Sequence, residues 1–160
     1  MVIVGTTWQP DGGIVGGALQ CDGVTGCVHV DRIPDLGPGP FSVIAWVKGG
    51  APGQTVLSHK GTTALFMANP IDGSLMTMLE NPKKRVAQGS TEAIITDGRW
   101  HRIALVWDGV ERQLYVDGQE VALEGPPFVA RWVPSPGAHV IAMELDGQLA
   151  DQVRLWVGGG

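Results

Sequence analysis

The segment Glu144-Leu145-Asp146-Gly147-Gln148 has the one spacing in the chain that resembles a catalytic set. On a strand, alternation puts Glu144, Asp146 and Gln148 on a single face, the placement a retaining glycosidase gives its nucleophile, helper and acid/base. The third position is an amide, which cannot protonate a leaving group, and a positioned proton donor is worth about 10²–10⁴-fold. Hydrolysis is therefore not expected, and Asp146-Gly147 reads as a turn. His29, His59, His101 and His139 are scattered, without the His-x-x-x-His spacing of a metal site. Ser42, Ser58, Ser74, Ser90 and Ser135 lack a Gly-x-Ser-x-Gly elbow. No Gly-rich loop runs from a strand into a helix to cradle phosphate.

Cys21 and Cys27 flank Asp-Gly-Val-Thr-Gly, too few thiols for a structural zinc site. Two readings stay open for them: a disulfide across a hairpin, or two buried thiols acting as small hydrophobes. Six tryptophans against one tyrosine and three phenylalanines make Trp the main aromatic, and its broad face and indole N–H suit sugar rings and their hydroxyls. Trp46, Trp100, Trp107 and Trp156 fall in or beside expected strands, where core packing is the ordinary use. Trp132 differs, held beside Arg131 in a loop with Pro126, Pro127, Pro134 and Pro136, and Trp8 sits in a terminal segment.

The elements that must carry these residues are strands. Among 160 residues there are 24 Gly and 11 Pro, which argues against long helices. Only 17% of residues are charged and 44% are apolar, so a packed core is expected. The formal net charge is −5, with Lys83, Lys84 and Arg85 the only cluster of positives, and nucleic acid is not an expected partner. Seven of the ten aspartates (Asp11, Asp22, Asp72, Asp97, Asp108, Asp117, Asp146) precede a glycine. Asp-Gly is turn chemistry, which moves those acids from catalysis to the scaffold. No stretch has the roughly 18 apolar residues of a membrane span, and the first residues lack the basic and apolar regions of a signal peptide.

Period-2 segments between Gly and Pro clusters predict an all-β sandwich. The expected strands are Ala18–Cys21, Cys27–Val30, Phe41–Lys48, Thr55–His59, Ala64–Ala68, Ser74–Leu79, His101–Trp107, Gln113–Val116, Gln119–Leu123, His139–Met143 and Asp151–Val157. In Phe41–Lys48, Phe41, Val43, Ala45 and Val47 share one face, and Ser42, Ile44, Trp46 and Lys48 the other. Asp117-Gly118, between Leu114, Val116 and Val121, marks a type I′ hairpin. A single domain over 1–160 is expected, with its core in 16–157.

Taken together, GGALQCDGVTGCVHV, FSVIAWVK, DGRWHRIALVWDGVERQLYVDGQEV and LDGQLADQVRLW resemble, in order and spacing, the laminin-G-like, pentraxin-like branch of the concanavalin A-like lectin/glucanase superfamily. The third block is the most specific, a Trp-His pair opening one strand and Tyr-Val-Asp-Gly closing the next. The resemblance implies an antiparallel two-sheet jelly roll with its first and last strands adjacent. It also implies glycan or protein recognition, often outside the cell. On that basis Trp132 or Trp46 is expected to stack on a sugar while Arg131, Glu144 or Gln148 bonds hydroxyls. With first and last strands adjacent, Asp22 and Asp151 could share a calcium ion, completed by carbonyls near Gly23 or by the Gln152 amide. The competing expectations are a protein-interaction or self-assembly module, and a degenerate hydrolase-like domain.

Overall fold

A computed structural model describes residues 2–29, 40–59, 63–80, 86–108, 111–121 and 149–156. Its strands are β1 (Val2–Val4), β2 (Thr6–Gln9), β3 (Ala18–Cys21), β4 (Cys27–His29), β5 (Phe41–Lys48), β6 (Thr55–His59), β7 (Thr63–Ala68), β8 (Ser74–Glu80), β9 (Val86–Ile94), β10 (Trp100–Trp107), β11 (Arg112–Val116), β12 (Gln119–Val121) and β13 (Leu149–Trp156). There is no helix among the described residues. A seven-stranded sheet has the order β12-β11-β10-β5-β13-β3-β2, a four-stranded sheet has β6-β7-β8-β9, and β1 pairs with β4. Every pairing is antiparallel.

The expected sandwich is present. Phe41, Val43, Ala45 and Val47 of β5 and Ile103, Leu105 and Trp107 of β10 are buried in one cluster with Val56, Leu57, Leu65, Phe66, Ala68 and Leu75 from the four-stranded sheet. A shared apolar layer between two sheets is what strands with one apolar face require. β5 and β10 pair over eight consecutive positions, from Trp100 opposite Lys48 to Trp107 opposite Phe41. β13 lies between β5 and β3, which brings the last strand beside the first expected one.

Three strands carry too little pattern to be read from sequence. β9 contains Gln88, Gly89 and Ser90, which break apolar alternation, and it is held by pairing with β8. β1 is three apolar residues, too short to show a period, and β2 is short and polar-rich; both gain their partners only through the tertiary fold. The expected strand His139–Met143 lies outside the described residues.

The Cys21–Cys27 segment departs from the hairpin expectation. β3 and β4 do not pair with each other; Thr6 faces Cys21 and Val4 faces Cys27. Residues 22–26 are therefore a five-residue excursion from one extended path, opposed by Gly5 alone. The Asp22 N–H donates to the Gly5 carbonyl at 3.0 Å. Gly5 has φ +58°, and a Cβ there would run into the Thr25 hydroxyl and the Asp22 carboxylate. Both cysteines are thiols, with Cys21 buried.

The two faces of the central sheet differ in what a substitution costs. Leu105 is fully buried, so Leu105→Ala should destabilise by about 2–5 kcal/mol through lost contacts and a cavity. Ala104→Ser, on the half-exposed opposite face, should stay within roughly 0.5 kcal/mol. Chemical denaturation of the two variants checks the assignment of faces.

Candidate functional site

Register builds a cluster on the outward face of the seven-stranded sheet. Trp46 of β5 stands directly opposite Arg102 of β10, and Lys48 stands opposite Trp100. These four side chains alternate as ring and cation on two paired central strands, with opposed Cβ atoms about 5 Å apart and diagonal neighbours roughly 7–8 Å apart. Arg102 is exposed, and Trp46, Lys48 and Trp100 are half-buried. On its other side Trp46 is paired with Asp151 of β13, and Ile44 with Arg154. Toward β2 the face continues through polar residues, and Gln9 Nε2 donates to Gln20 Oε1 at 3.0 Å. Toward β11 the Tyr115 hydroxyl donates to Gln113 Oε1 at 3.2 Å.

What fixes this cluster is the residue between Trp100 and Arg102. Alternation turns His101 to the opposite face, where Nδ1 lies 2.8 Å from Asp117 Oδ2 and Nε2 lies 2.9 Å from Asp97 Oδ1. A neutral imidazole has one N–H, whereas the imidazolium donates to both carboxylates. Desolvation works against that charge, but the bonds to Asp97 and Asp117 outweigh it and raise the His101 pKa above 6.5. The bond to His101, with the Arg99 N–H, holds the Asp97 carboxyl below the usual range. Asp117 Oδ1 also accepts the Arg102 N–H at 2.8 Å, and the Arg102 carbonyl accepts the Asp117 N–H at the same distance. Asp117 and Gly118 have φ +54° and +84°, both positive as a type I′ turn requires. The β10 start is thus clasped between the turn before it and the hairpin turn after β11.

The sequence-derived site residues fare differently. Trp46 sits in the cluster. Trp100, read as a core residue, turns outward with it, because it shares alternation parity with Arg102, whereas Trp107 is buried as expected; the side chain of Trp156 lies outside the described residues. Trp8 is 59% exposed on the edge strand and its ring lies against Gly17. Trp132, Arg131, Glu144 and Gln148 lie outside the described residues.

The calcium pair is not brought together. Asp151 is paired with Ala18, four residues along β3 from Asp22, or roughly 13 Å at the strand rise. The Asp22 carboxylate closes its own loop instead. Oδ1 accepts the N–H groups of Val24, Thr25 and Gly26 at 2.9, 2.8 and 2.6 Å, and Oδ2 accepts the Thr25 hydroxyl at 2.7 Å. These donors, the Thr25 hydroxyl foremost, hold its pKa far below the ordinary carboxylate value, and N–H groups aimed at the oxygens oppose a cation. Among the described residues no three His, Cys, Asp or Glu side chains form a metal-binding group.

The chain matches the laminin G family model described as Concanavalin A-like lectin/glucanases superfamily over residues 22–156. It belongs to that superfamily. Among solved structures, this superfamily member is similar to Trypanosoma rangeli sialidase. In complex with 2-keto-3-deoxy-D-glycero-D-galacto-2,3-difluoro-nononic acid, that protein superposes with a TM-score of 0.60 at 15% identity, over 92% of this chain and 25% of the sialidase. In complex with sialic acid it superposes with a TM-score of 0.57 at 17% identity, over the same shares. At such identity the likeness is one of fold, and the chain spans about a quarter of the sialidase's length. No curated protein matches the sequence.

Two outcomes follow from the clasp and the excursion. The stabilisation that His101 gives over His101→Gln should be full below about pH 6.5 and disappear as pH rises through its elevated folded pKa. On the acid side it should fade below about pH 3.8 as Asp97 protonates. Thermal unfolding of both proteins across pH measures this, and a gap that fails to narrow above neutrality would exclude a charged clasp. Asp22→Ala should lower Tm equally with and without millimolar calcium, since mass action raises Tm only where the native state binds the ion.

Proposed function

We propose that this domain is a non-catalytic carbohydrate-binding module whose sugar lies across Trp46 and Trp100 on the outward face of the seven-stranded sheet. The observation that carries the reading is the placement of two half-buried tryptophans on the paired central strands, among side chains able to bond hydroxyls. Trp faces accept the C–H surface of a sugar ring, and neighbouring polar groups set its orientation. Strands hold the rings more rigidly than loops would, which lowers the entropy lost on binding. Membership in a superfamily of lectins and glucanases favours the reading, as does likeness to a sialidase solved with sialic acid. The amide of Gln148 at the position a glycosidase gives its acid/base favours binding over hydrolysis.

A second reading is supported by the edge that β2 forms among the described strands. Trp8, Ile14 and Val15 are exposed on and beside β2, which carries no charged residue to discourage pairing with another chain.

Tryptophan fluorescence and calorimetry against a panel of oligosaccharides test the first reading. Trp46→Ala should weaken binding by about 2 kcal/mol, roughly thirtyfold, with Tm little changed. If no sugar binds and light scattering gives a dimer that Trp8→Ser dissociates, the edge-strand reading replaces it.

A further inference from the structure

The geometry points to a binding site for a soft monovalent metal ion, copper(I) or its redox-inert analogue silver(I), held by the thioether sulfurs of Met67, Met76 and Met78. It lies on the face of the four-stranded sheet that turns away from the seven-stranded one, so the whole core separates it from Trp46 and Trp100 and it is independent of the carbohydrate reading.

Alternation places the three sulfurs together. Leu75 of β8 belongs to the apolar layer between the sheets; its neighbour Met76, and Met78 two residues on, therefore point to the other face. Met67 of β7 stands directly opposite Met76. Opposed Cβ atoms are about 5 Å apart and diagonal ones roughly 7–8 Å, which sets Met78 within reach of the same point. Met67 and Met76 are buried, and with the half-buried Met78 they form a cluster distinct from the main core. Each side chain is unbranched, with three rotatable bonds to bring its sulfur inward.

Composition singles this cluster out. Every methionine among the described residues is in it, and the main core contains none. That core is filled chiefly by Val, Leu, Ile and Phe, and burial alone would be met by the same residues here. What methionine adds is a polarisable donor atom, and thioethers select soft ions such as copper(I). Zinc, calcium and magnesium are not served, because the cluster offers no thiolate, imidazole or carboxylate. The residues that register sets beside it, Thr55 opposite Met67, and Ser90 and Gln88 opposite Met76 and Met78, carry no charge to balance a dication. A single charge shared among three sulfurs costs less to bury there, and Met78 leaves the ion a way in from solvent.

The thiols of Cys21 and Cys27, on other strands, also take up these ions, so the parent for the test is the whole chain carrying Cys21→Ala and Cys27→Ala. Carbon-13 labelling of the methionine methyl groups reads each thioether directly, and single Leu substitutions assign the resonances. Silver nitrate titrated in chloride-free buffer should shift the Met67, Met76 and Met78 resonances together, with saturation at equimolar ion. Copper(I) kept reduced by ascorbate should raise Tm, as an ion bound only by the native state must, while zinc, calcium and magnesium leave Tm unchanged. Met→Leu preserves volume and apolar character. The triple variant Met67→Leu, Met76→Leu, Met78→Leu should therefore keep its fold and lose the Tm rise. Each single variant should weaken silver binding about tenfold or more, the least that even outer-shell changes typically cost a metal site. Resonances that stay in place at severalfold excess of silver, or a triple variant that responds to the ions as its parent does, overturn the inference. Should the double-alanine parent not fold, the same resonances are followed in the wild-type chain beyond the silver that its two thiols take up, with the same two outcomes.

Discussion

The eight-position pairing of β5 with β10 is the constraint on which the rest of the domain depends. Side chains on paired antiparallel strands alternate in step, so a single register decides the contents of both faces at once. With Phe41, Val43, Ala45 and Val47 facing Trp107, Leu105, Ile103 and His101, the apolar set is committed to the interior. Trp46, Lys48, Trp100 and Arg102 are then committed to the outside. A one-residue slip of β5 would turn Trp46 and Lys48 into the core and expose Val43 and Ala45, which is why the arrangement is unambiguous.

His101 marks the end of this logic. By parity it belongs to the core face, yet it stands at the start of its strand, where the layer of apolar partners gives out. Burial there would be costly for an imidazole without partners. Asp97 and Asp117 supply them from two different turns, and the same histidine then ties the hairpin to the strand that carries Trp100 and Arg102. A turn residue, a structural histidine and the outward cluster are in this way one mechanical unit.

The Asp-Gly turns show how far local chemistry is readable. Asp22, Asp72, Asp97 and Asp108 each accept backbone N–H groups two to four residues ahead, as short acidic side chains do in turns. The fold was legible for the same reason: in β5 and β10 the apolar period is long and clean. It was illegible in β2 and β9, whose polar residues have no period and whose partners lie in distant parts of the chain. The hairpin expected between Cys21 and Cys27 was misread because the turn signal at Asp22-Gly23 cannot distinguish a hairpin from an excursion out of one strand. That difference depends on whether Gly5 faces the loop, a contact 17 residues away in sequence.

By itself the sequence determined the class of fold, the central strands, the turns and the membership that these imply, because each rests on neighbours in the chain. It also placed Trp46 and Lys48 on one face, since strand alternation is local. Only the tertiary structure decided that Trp100 and Arg102 stand across from them. It also decided that Asp22 and Asp151 do not meet, and that one histidine holds two turns. The first two depend on register between strands more than fifty residues apart, which the packing of the whole core sets; the third depends on the β10–β11 pairing that carries Asp117 to His101.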